Sequence, residues 1–152
     1  MNKPSPIHQS GNALNEAARE AMLEAGEQWT GMREAVFTQL ARHEQPVSAY
    51  DIADELTTSR GKRVAPNSVY RILDLFVAHN VAVRIESSRA YVASTHPGLR
   101  HDCVFLVCEE CGGVAHIDDD EMSRSIQALA LRVGFQPHRP VLEIRGVCED
   151  CA

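Results

Sequence analysis

Four of the five cysteines in the sequence form two CxxC pairs, Cys108 with Cys111 and Cys148 with Cys151. Each pair can hold a metal ion from a tight turn, and two pairs supply the four thiolates that a tetrahedral structural zinc prefers. The 37 positions between Cys111 and Cys148 leave room for a helix and a strand. Unconnected thiols or a redox CxxC would require both pairs to be coincidental, and no βαβ context supports a thioredoxin-like site. We therefore predict a structural zinc bound by all four cysteines.

A second group of metal-ligating side chains surrounds the first pair: His96, His101, Cys103 and His116. His101 and Cys103 share a face if "HDCVFLV" is extended, and His116 comes from the next predicted strand. Any one of them alone is more often a surface histidine or a buried thiol. Together they favour a second metal site, and their mixture of sulfur and imidazole suits zinc better than Mn(II), Mg(II) or Fe(II).

Length and composition are those of an ordinary globular protein. The chain has 152 residues, 44% hydrophobic and 24% charged, which fits one domain or two small ones. No stretch approaches the roughly 18 continuous apolar residues of a membrane span, and the N-terminus lacks the apolar segment of a signal peptide. We expect a cytoplasmic protein with no membrane partner, in which reduced cysteines bind metal rather than form disulfides.

Charge is distributed unevenly along the chain. Residues 59–100 carry seven Lys and Arg against two Asp and Glu, a net charge of +5. The flanking segments 1–58 and 101–152 carry net charges of −5 and −6. A basic segment between acidic ones is either a solvated surface or the electrostatic footprint of a DNA-binding face.

Apolar residues at helical spacing predict four helices in the first half of the chain. "SAYD" at 48–51 has the Ser-x-x-Asp form of a helix start, and Pro66 with Asn67 begins the fourth helix. From Val81 the period changes, and "VAVRIE" and "AYVA" predict two short strands around a polar turn, as in the wing of a winged helix. The predicted buried face of the fourth helix is formed by Val69, Ile72, Leu73 and Phe76.

The second half reads as a small α/β unit. "STHPGLRH" at 94–101 contains Pro and Gly and is the predicted hinge. "VFLV", "GVAHI" and "VLEIRGV" are predicted strands, with a helix between the last two that Asp118 or Asp119 caps and that ends near Gly134. The apolar stripe of this helix is Met122, Ile126, Leu129 and Val133.

Four segments together resemble the ferric uptake regulator (Fur) family over about residues 28–151: "TGMREAVFTQLARHEQPVSAYDI", "APNSVYRILDLFVAHNVAVRIES", "CEECGGV" and "GVCEDC". The Val-Tyr-Arg helix, the wing and the paired CxxC motifs occur in the family's order. "SAYD", the spacing of His101 before the first CxxC and the thiol-rich second site resemble the zinc uptake regulator (Zur) branch.

The resemblance implies an α+β regulator rather than an enzyme. It implies a zinc-responsive transcriptional repressor of zinc uptake genes that binds operator DNA as a homodimer and takes no small-molecule substrate. About two zinc ions per chain are implied, one structural and one regulatory. The implied organisation is a flexible leader at 1–12, a winged-helix DNA-binding domain at 13–93, a hinge at 94–101 and a zinc-binding dimerisation domain at 102–152.

On the family pattern, Tyr70 and Arg71 of the recognition helix meet the DNA. Arg can fork onto guanine O6 and N7, and a Tyr ring can pack on a thymine methyl. The alternative is a core-facing Tyr70 and a solvated Arg71. The implied DNA-binding set, including phosphate contacts that fix the register, is Arg33, Lys62, Arg63, Asn67, Ser68, Tyr70 and Arg71.

The second metal site departs from the family pattern. His116 stands where the family often has a carboxylate, and Cys103 where iron-type members have histidine. Ala93 stands near a position that supplies a cysteine in some zinc-type members, so His96 is the expected replacement. The reserve ligands are His79, Asp102 and Asp118, although His79 is expected to cap the recognition helix.

The sequence leaves three other functions open to comparison. An iron- or peroxide-responsive regulator of the same family is disfavoured by Cys103. A structural zinc adaptor that does not bind DNA would leave the basic segment and the Val-Tyr-Arg helix without a role. A zinc hydrolase or deaminase would need an open ligand position and a general base, such as the Glu of the His-x-Glu motif that accompanies Pro-Cys-x-x-Cys, and the sequence contains neither motif.

Overall fold

A computed structural model describes residues 5–6, 11–99, 103–138 and 141–152. The described residues fall into two compact units. One runs from Gly11 to Leu99, and the other combines strand β1 (Ser5–Pro6) with the described residues from Cys103 onward. None of the helices in these ranges is long and apolar enough to cross a membrane.

The first unit contains four helices and a two-stranded antiparallel wing. Its elements are α1 (Asn12–Glu24), α2 (Gly31–Ala41), α3 (Ala49–Arg60), α4 (Pro66–Ala78), β2 (Ala82–Ile85) and β3 (Ala90–Ala93). The Ser48 hydroxyl accepts a hydrogen bond from the Asp51 amide at 3.1 Å, so "SAYD" does begin a helix. Gly61 ends α3 in the left-handed conformation, with φ 67°, and Pro66 occupies the first turn of α4.

The core of the first unit forms where the four helices and the wing meet. Val69, Leu73 and Phe76 of α4 are fully buried, and Ile72 is half-buried, as the helical spacing predicted. Trp29 stacks on Phe76 with ring centroids 5.9 Å apart. This packing fixes which face of α4 points inward, and therefore which face remains for a partner.

The second unit is a four-stranded sheet with one helix. Its elements are β4 (Cys103–Cys108), β5 (Val114–Asp118), α5 (Asp120–Arg132) and β6 (Leu142–Gly146). The strand order is β1-β5-β4-β6; β4 is antiparallel to β5 and parallel to β6, and β1 is antiparallel to β5. The Asp119 carboxylate caps α5 by accepting from the amides of Glu121 and Met122.

The predicted α+β class, with an N-terminal winged-helix unit before a small α/β unit, is confirmed. Most of the expected leader, at 1–4 and 7–10, lies outside the described residues, and Ser5–Pro6 pair with β5, a strand that no apolar pattern indicated. In the predicted hinge, the amides of Ser94 and Gly98 donate to the carbonyls of Val81 and Asn80. Residues 100–102 are not described, and the domain boundaries stay a prediction.

The apolar stripe of α5 is exposed in the single chain. Within this helix only Ser123 is buried. Met122, Leu129 and Val133 are 44%, 57% and 81% exposed, and Ile126 is half-buried. The predicted stripe therefore exists, and the described part of the chain leaves it exposed.

Candidate metal centre and nucleic-acid interface

The two CxxC pairs meet at one end of the second unit. Cys108 is the last residue of β4, and Cys111 lies in the turn that follows. Parallel pairing places Cys108 opposite Gly146, two residues before Cys148. The amide of Glu109 donates to the Gly146 carbonyl at 2.8 Å, which ties the first knuckle to the end of β6. The strand register thus brings the two distant pairs together.

The geometry of the four thiols fits one zinc ion. Their sulfur atoms all lie within 4.8 Å of one another, and the Cys111 and Cys148 sulfurs are 3.9 Å apart. A tetrahedron with Zn–S bonds of about 2.3 Å has S–S edges of about 3.8 Å. Among the described residues this is the one cluster of three or more ligating groups that satisfies such a distance limit.

Backbone amides prepare the thiols for metal binding. The Cys148 amide donates to the Cys108 sulfur at 3.4 Å, and the Gly113 amide donates to the Cys111 sulfur at 3.4 Å. Hydrogen bonds from the backbone of Cys111 and of Cys148 lower the pKa of Cys108 to about 6. Hydrogen bonding to the neighbouring sulfur of Cys148 raises the pKa of Cys151 to about 12. Without a cation, neighbouring thiols share protons through hydrogen bonds. A bound cation would replace those protons, because every thiol that ligates a metal must be deprotonated.

The residues expected at the second metal site are only partly described. His116 lies on β5 with its side chain 10% exposed, and its Nε2 is 3.9 Å from Asp118 Oδ2. Asp118 pairs with Cys103 in the backbone register, whereas the Cys103 side chain and all of His101 lie outside the described residues. His96 is exposed and belongs to the first unit. The second metal site and its ligand set therefore stay a prediction.

The outer face of α4 carries the polar residues expected to meet DNA. Asn67, Ser68 and Arg71 are exposed, as are Lys62 and Arg63 in the connection before the helix. None of the ion pairs among the described residues involves Arg71. This face is opposite to the buried one, so its side chains are available to a groove of DNA.

Arg33 has intramolecular partners. Its guanidinium is 3.4 Å from Glu27 Oε2 and also donates to the Gln28 carbonyl. His79 ends α4 as expected, and its Nε2 lies 3.4 Å from the other Glu27 oxygen. Glu27 therefore links the start of α2 to the end of α4.

Tyr70 is partly buried and partly accessible. It is half-buried against the core of the first unit. Its ring meets the Tyr50 ring edge-on, with centroids 5.8 Å apart, and the Tyr91 ring with centroids 6.4 Å apart. Tyr70 is thus held by aromatic contacts while part of its ring remains accessible.

Comparison with known proteins settles the family. A sequence profile described as the ferric uptake regulator family matches residues 24–145. The chain belongs to the ferric uptake regulator family. The resemblance carried by the Val-Tyr-Arg helix and the paired CxxC motifs is thereby confirmed.

Several Fur-family relatives similar to this chain are zinc uptake regulators. The zinc uptake regulation protein of Escherichia coli K12 is 27% identical over 123 residues, covering 80% of this chain and 71% of the relative. The crystal structure of holo XcZur is 32% identical, covers 93% of this chain and 98% of its own, and superposes with a TM-score of 0.83. A zinc uptake regulator complexed with zinc and DNA is 25% identical, with coverages of 95% and 96% and a TM-score of 0.85.

In this Fur-family chain, the sequence indicated no functional role for three residues near α4: Tyr50, Asp74 and Tyr91. Tyr50, 59% exposed, contacts Tyr70 from the first turn of α3, whereas the "SAYD" pattern indicates only a helix start. The Tyr91 hydroxyl donates to Asp74 Oδ1 at 2.9 Å and joins the wing to α4. All three tyrosines of the sequence lie in this one cluster. That clustering is invisible in the sequence because Tyr91 is distant from the other two.

Proposed function

We propose that the protein is a zinc-responsive transcriptional repressor of zinc uptake genes, which binds operator DNA as a dimer when a regulatory zinc site is filled. The observation that carries the proposal is its likeness, along almost the whole chain, to a zinc uptake regulator solved with zinc and DNA. Binding to chromosomal DNA would place the protein in the cytoplasm.

The DNA-binding element is α4 with the basic connection before it. Arg71 is exposed, has no ion-pair partner among the described residues, and can donate two parallel hydrogen bonds to a guanine. Asn67 and Ser68 lie in the first turn of α4, where the positive end of the helix dipole favours phosphate. Lys62 and Arg63 add charge that holds the register without reading sequence.

The structural zinc belongs at Cys108, Cys111, Cys148 and Cys151. When bound, zinc supplies a tetrahedral cross-link between the end of β4 and the residues after β6. The four thiols are already clustered in the folded chain, so little further conformational entropy is lost when they bind a metal ion. Metal binding to such a site contributes directly to the stability of a small domain.

The regulatory zinc is assigned to His96, His101, Cys103 and His116, which gives about two ions per chain. The largely buried imidazole of His116 and the register pairing of Cys103 with Asp118 support this assignment. His96 lies near the start of the predicted hinge and His101 at its end, whereas Cys103 and His116 follow it. Their joint ligation would therefore restrict the orientation of the DNA-binding unit. Shifting such an equilibrium from 1:99 to 99:1 requires about 5.5 kcal/mol of differential binding.

The exposed stripe of α5 and the edge strand β6 support a homodimer. Leu129 and Val133 of α5 are more than half exposed, and so is Ile144 of β6. β6 pairs with β4 alone among the described strands, so its other edge offers unpaired backbone groups. A second copy related by a two-fold axis can cover both features. The dimer would present two α4 helices to half-sites about 34 Å apart, or a multiple of that distance.

A zinc titration of DNA binding tests the proposal. A palindromic duplex is selected from a random library by the zinc-loaded protein, and its affinity is compared with that of a scrambled duplex over a buffered free-zinc series. We expect zinc to increase the affinity for the selected duplex far more than for the scrambled one. Equal affinities with and without zinc would favour the adaptor, and activation by Fe(II) alone would favour the iron sensor.

A further inference from the structure

The side chain and the backbone of Tyr91 are both held by contacts other than its hydrogen bond to α4. The side chain is 1% exposed, and its ring packs edge-on against Tyr70. Its backbone exchanges two hydrogen bonds with Val47, at 2.8 and 3.0 Å, just before the start of α3. From this position the hydroxyl donates to Asp74 Oδ1 at 2.9 Å. The hydroxyl therefore acts on Asp74 from a nearly immobile support.

Asp74 lies three residues after Arg71 on the outer side of the same helix. Side chains three apart on a helix are neighbours, and an acid and a base at this spacing attract each other. A carboxylate at position 74 with no other partner would compete with DNA for the Arg71 guanidinium. In the described residues the carboxylate is engaged by Tyr91, and Arg71 takes part in no ion pair.

The hydroxyl of Tyr91 remains a donor throughout the physiological pH range. Burial, together with the hydrogen bond to Asp74 and the negative charge of Asp74, raises the pKa of Tyr91 to about 12. The hydrogen bond from Tyr91 to Asp74 is therefore not lost by deprotonation of Tyr91 in this pH range.

We propose that Tyr91 is a positioning residue for DNA recognition: its hydroxyl holds the Asp74 carboxylate and thereby leaves Arg71 free to contact a base. This inference rests on the proposed function. A purely structural role, in which the hydrogen bond only ties the wing to α4, predicts a different result when the charge of Asp74 is removed together with the hydroxyl.

The test compares full-length, zinc-loaded wild type with Tyr91→Phe, Asp74→Asn and the double variant. Tyr91→Phe keeps the ring contacts and frees the carboxylate. Asp74→Asn keeps an acceptor for Tyr91 and cannot form an ion pair with Arg71. Affinity is measured for the duplex selected by wild type, for a scrambled duplex and for single-base variants of the selected site. Thermal unfolding and zinc content are measured in parallel.

We expect Tyr91→Phe to weaken binding to the selected duplex by about fivefold or more, a part of what a good Arg–guanine pair supplies, with little change for scrambled DNA. Discrimination at the base pair that Arg71 reads should fall. Asp74→Asn should bind like wild type, and the double variant should recover to within about twofold, because no carboxylate remains to capture Arg71.

Wild-type affinity and discrimination in Tyr91→Phe would overturn the inference. So would a double variant no better than Tyr91→Phe, because the hydroxyl would then act only as a structural tie. If Tyr91→Phe is poorly folded, Asp74→Ala decides: it also frees Arg71 from competition, so a loss of base discrimination in that variant contradicts the inference. Failure of wild type to select any duplex would instead overturn the proposed function, and this inference with it.

Discussion

The sulfur atoms of Cys111 and Cys148 lie 3.9 Å apart, although 37 positions separate the two residues in the chain. The parallel pairing of β4 with β6 produces this approach, because it aligns Cys108 with Gly146. The four thiols come together only when β4 and β6 are paired. Metal binding and folding of the second unit are therefore expected to be coupled.

Replacing Cys111 by Ser tests that coupling. Ser is a poor zinc ligand, so the variant should lose about one zinc per chain together with the dimer. Zinc content after dialysis and mass in solution are the measurements. Cys103→Ser is the matched control, since Cys103 is the one cysteine outside the two CxxC pairs, and it should keep the structural zinc. A dimeric Cys111→Ser protein with unchanged zinc would contradict the assignment.

If the proposed regulatory site exists, substitutions there should remove zinc-dependent DNA binding without affecting the structural zinc. Cys103→Ser and His116→Ala should leave the fold, the dimer and the structural zinc intact, while removing zinc-dependent operator binding. His96→Ala tests the ligand that lies within the predicted hinge. Zinc per chain and operator affinity over a free-zinc series are measured together. If Cys103→Ser still binds two zinc ions per chain and still binds the operator in a zinc-dependent way, Cys103 is not a ligand of the regulatory site. If the wild-type chain binds only one zinc ion, the proposal of two sites is wrong.

Arg71→Ala is expected to weaken specific operator binding by about 1–3 kcal/mol, because the two hydrogen bonds from Arg71 to a guanine are lost. Fluorescence anisotropy with the selected and scrambled duplexes measures the difference. Arg124→Ala is the control: Arg124 is exposed on α5, and its Nε donates to the Asp120 carbonyl within that helix. An equal loss in both variants would indicate a nonspecific effect of charge.

Leu129→Asp is expected to shift the protein from dimer to monomer. Burying a leucine side chain contributes about 1.5–3 kcal/mol to the free energy of association. A two-fold symmetric interface contains this leucine twice, so the substitution removes both contributions. Sedimentation over a concentration series is the measurement. Leu23→Asp is the control, because Leu23 is similarly exposed, at 49% against 57%, but lies on α1. A Leu129→Asp dimer as tight as wild type would remove α5 from the interface.

Glu55 gives the first unit a pH-dependent contribution to stability. Burial by itself raises the pKa of Glu55, but hydrogen bonds from His43 and Gln39 outweigh it and lower the pKa below its ordinary 4.5. The stabilisation is therefore present above that value and is lost as pH falls through the folded-state pKa. Glu55→Gln should cost about 1 kcal/mol at neutral pH, because the pair is partly exposed, and progressively less in acid.

Urea unfolding followed by Trp29 fluorescence measures this effect. Trp29 is the one tryptophan of the sequence and packs on Phe76 in the same unit, so it reports the unfolding of that unit. The difference between Glu55→Gln and wild type is taken at each pH. Glu20→Gln, on the exposed side of α1, is the control and should leave stability unchanged. A Glu55→Gln deficit that persists unchanged into acid would exclude the carboxylate as its source.

The sequence by itself determined the local elements and which four cysteines could form a cluster able to hold a metal ion. Ser48, Pro66 and Asp119 act on the backbone within a few residues, so the starts of α3, α4 and α5 could be predicted without a tertiary structure. The CxxC spacing likewise restricts its chemistry locally. The buried face of α4 followed from its helical period, because a single strong stripe has one way to face a core.

Only the tertiary structure decided what those elements meet. The stripe of α5 satisfied the same periodicity rule as that of α4, yet Leu129 and Val133 remain exposed, because periodicity predicts an apolar face without specifying whether the same chain or another copy covers it. The contact of Tyr91 with Asp74 depends on how β3 pairs with β2 and with Val47, and strand register is set by long-range pairing.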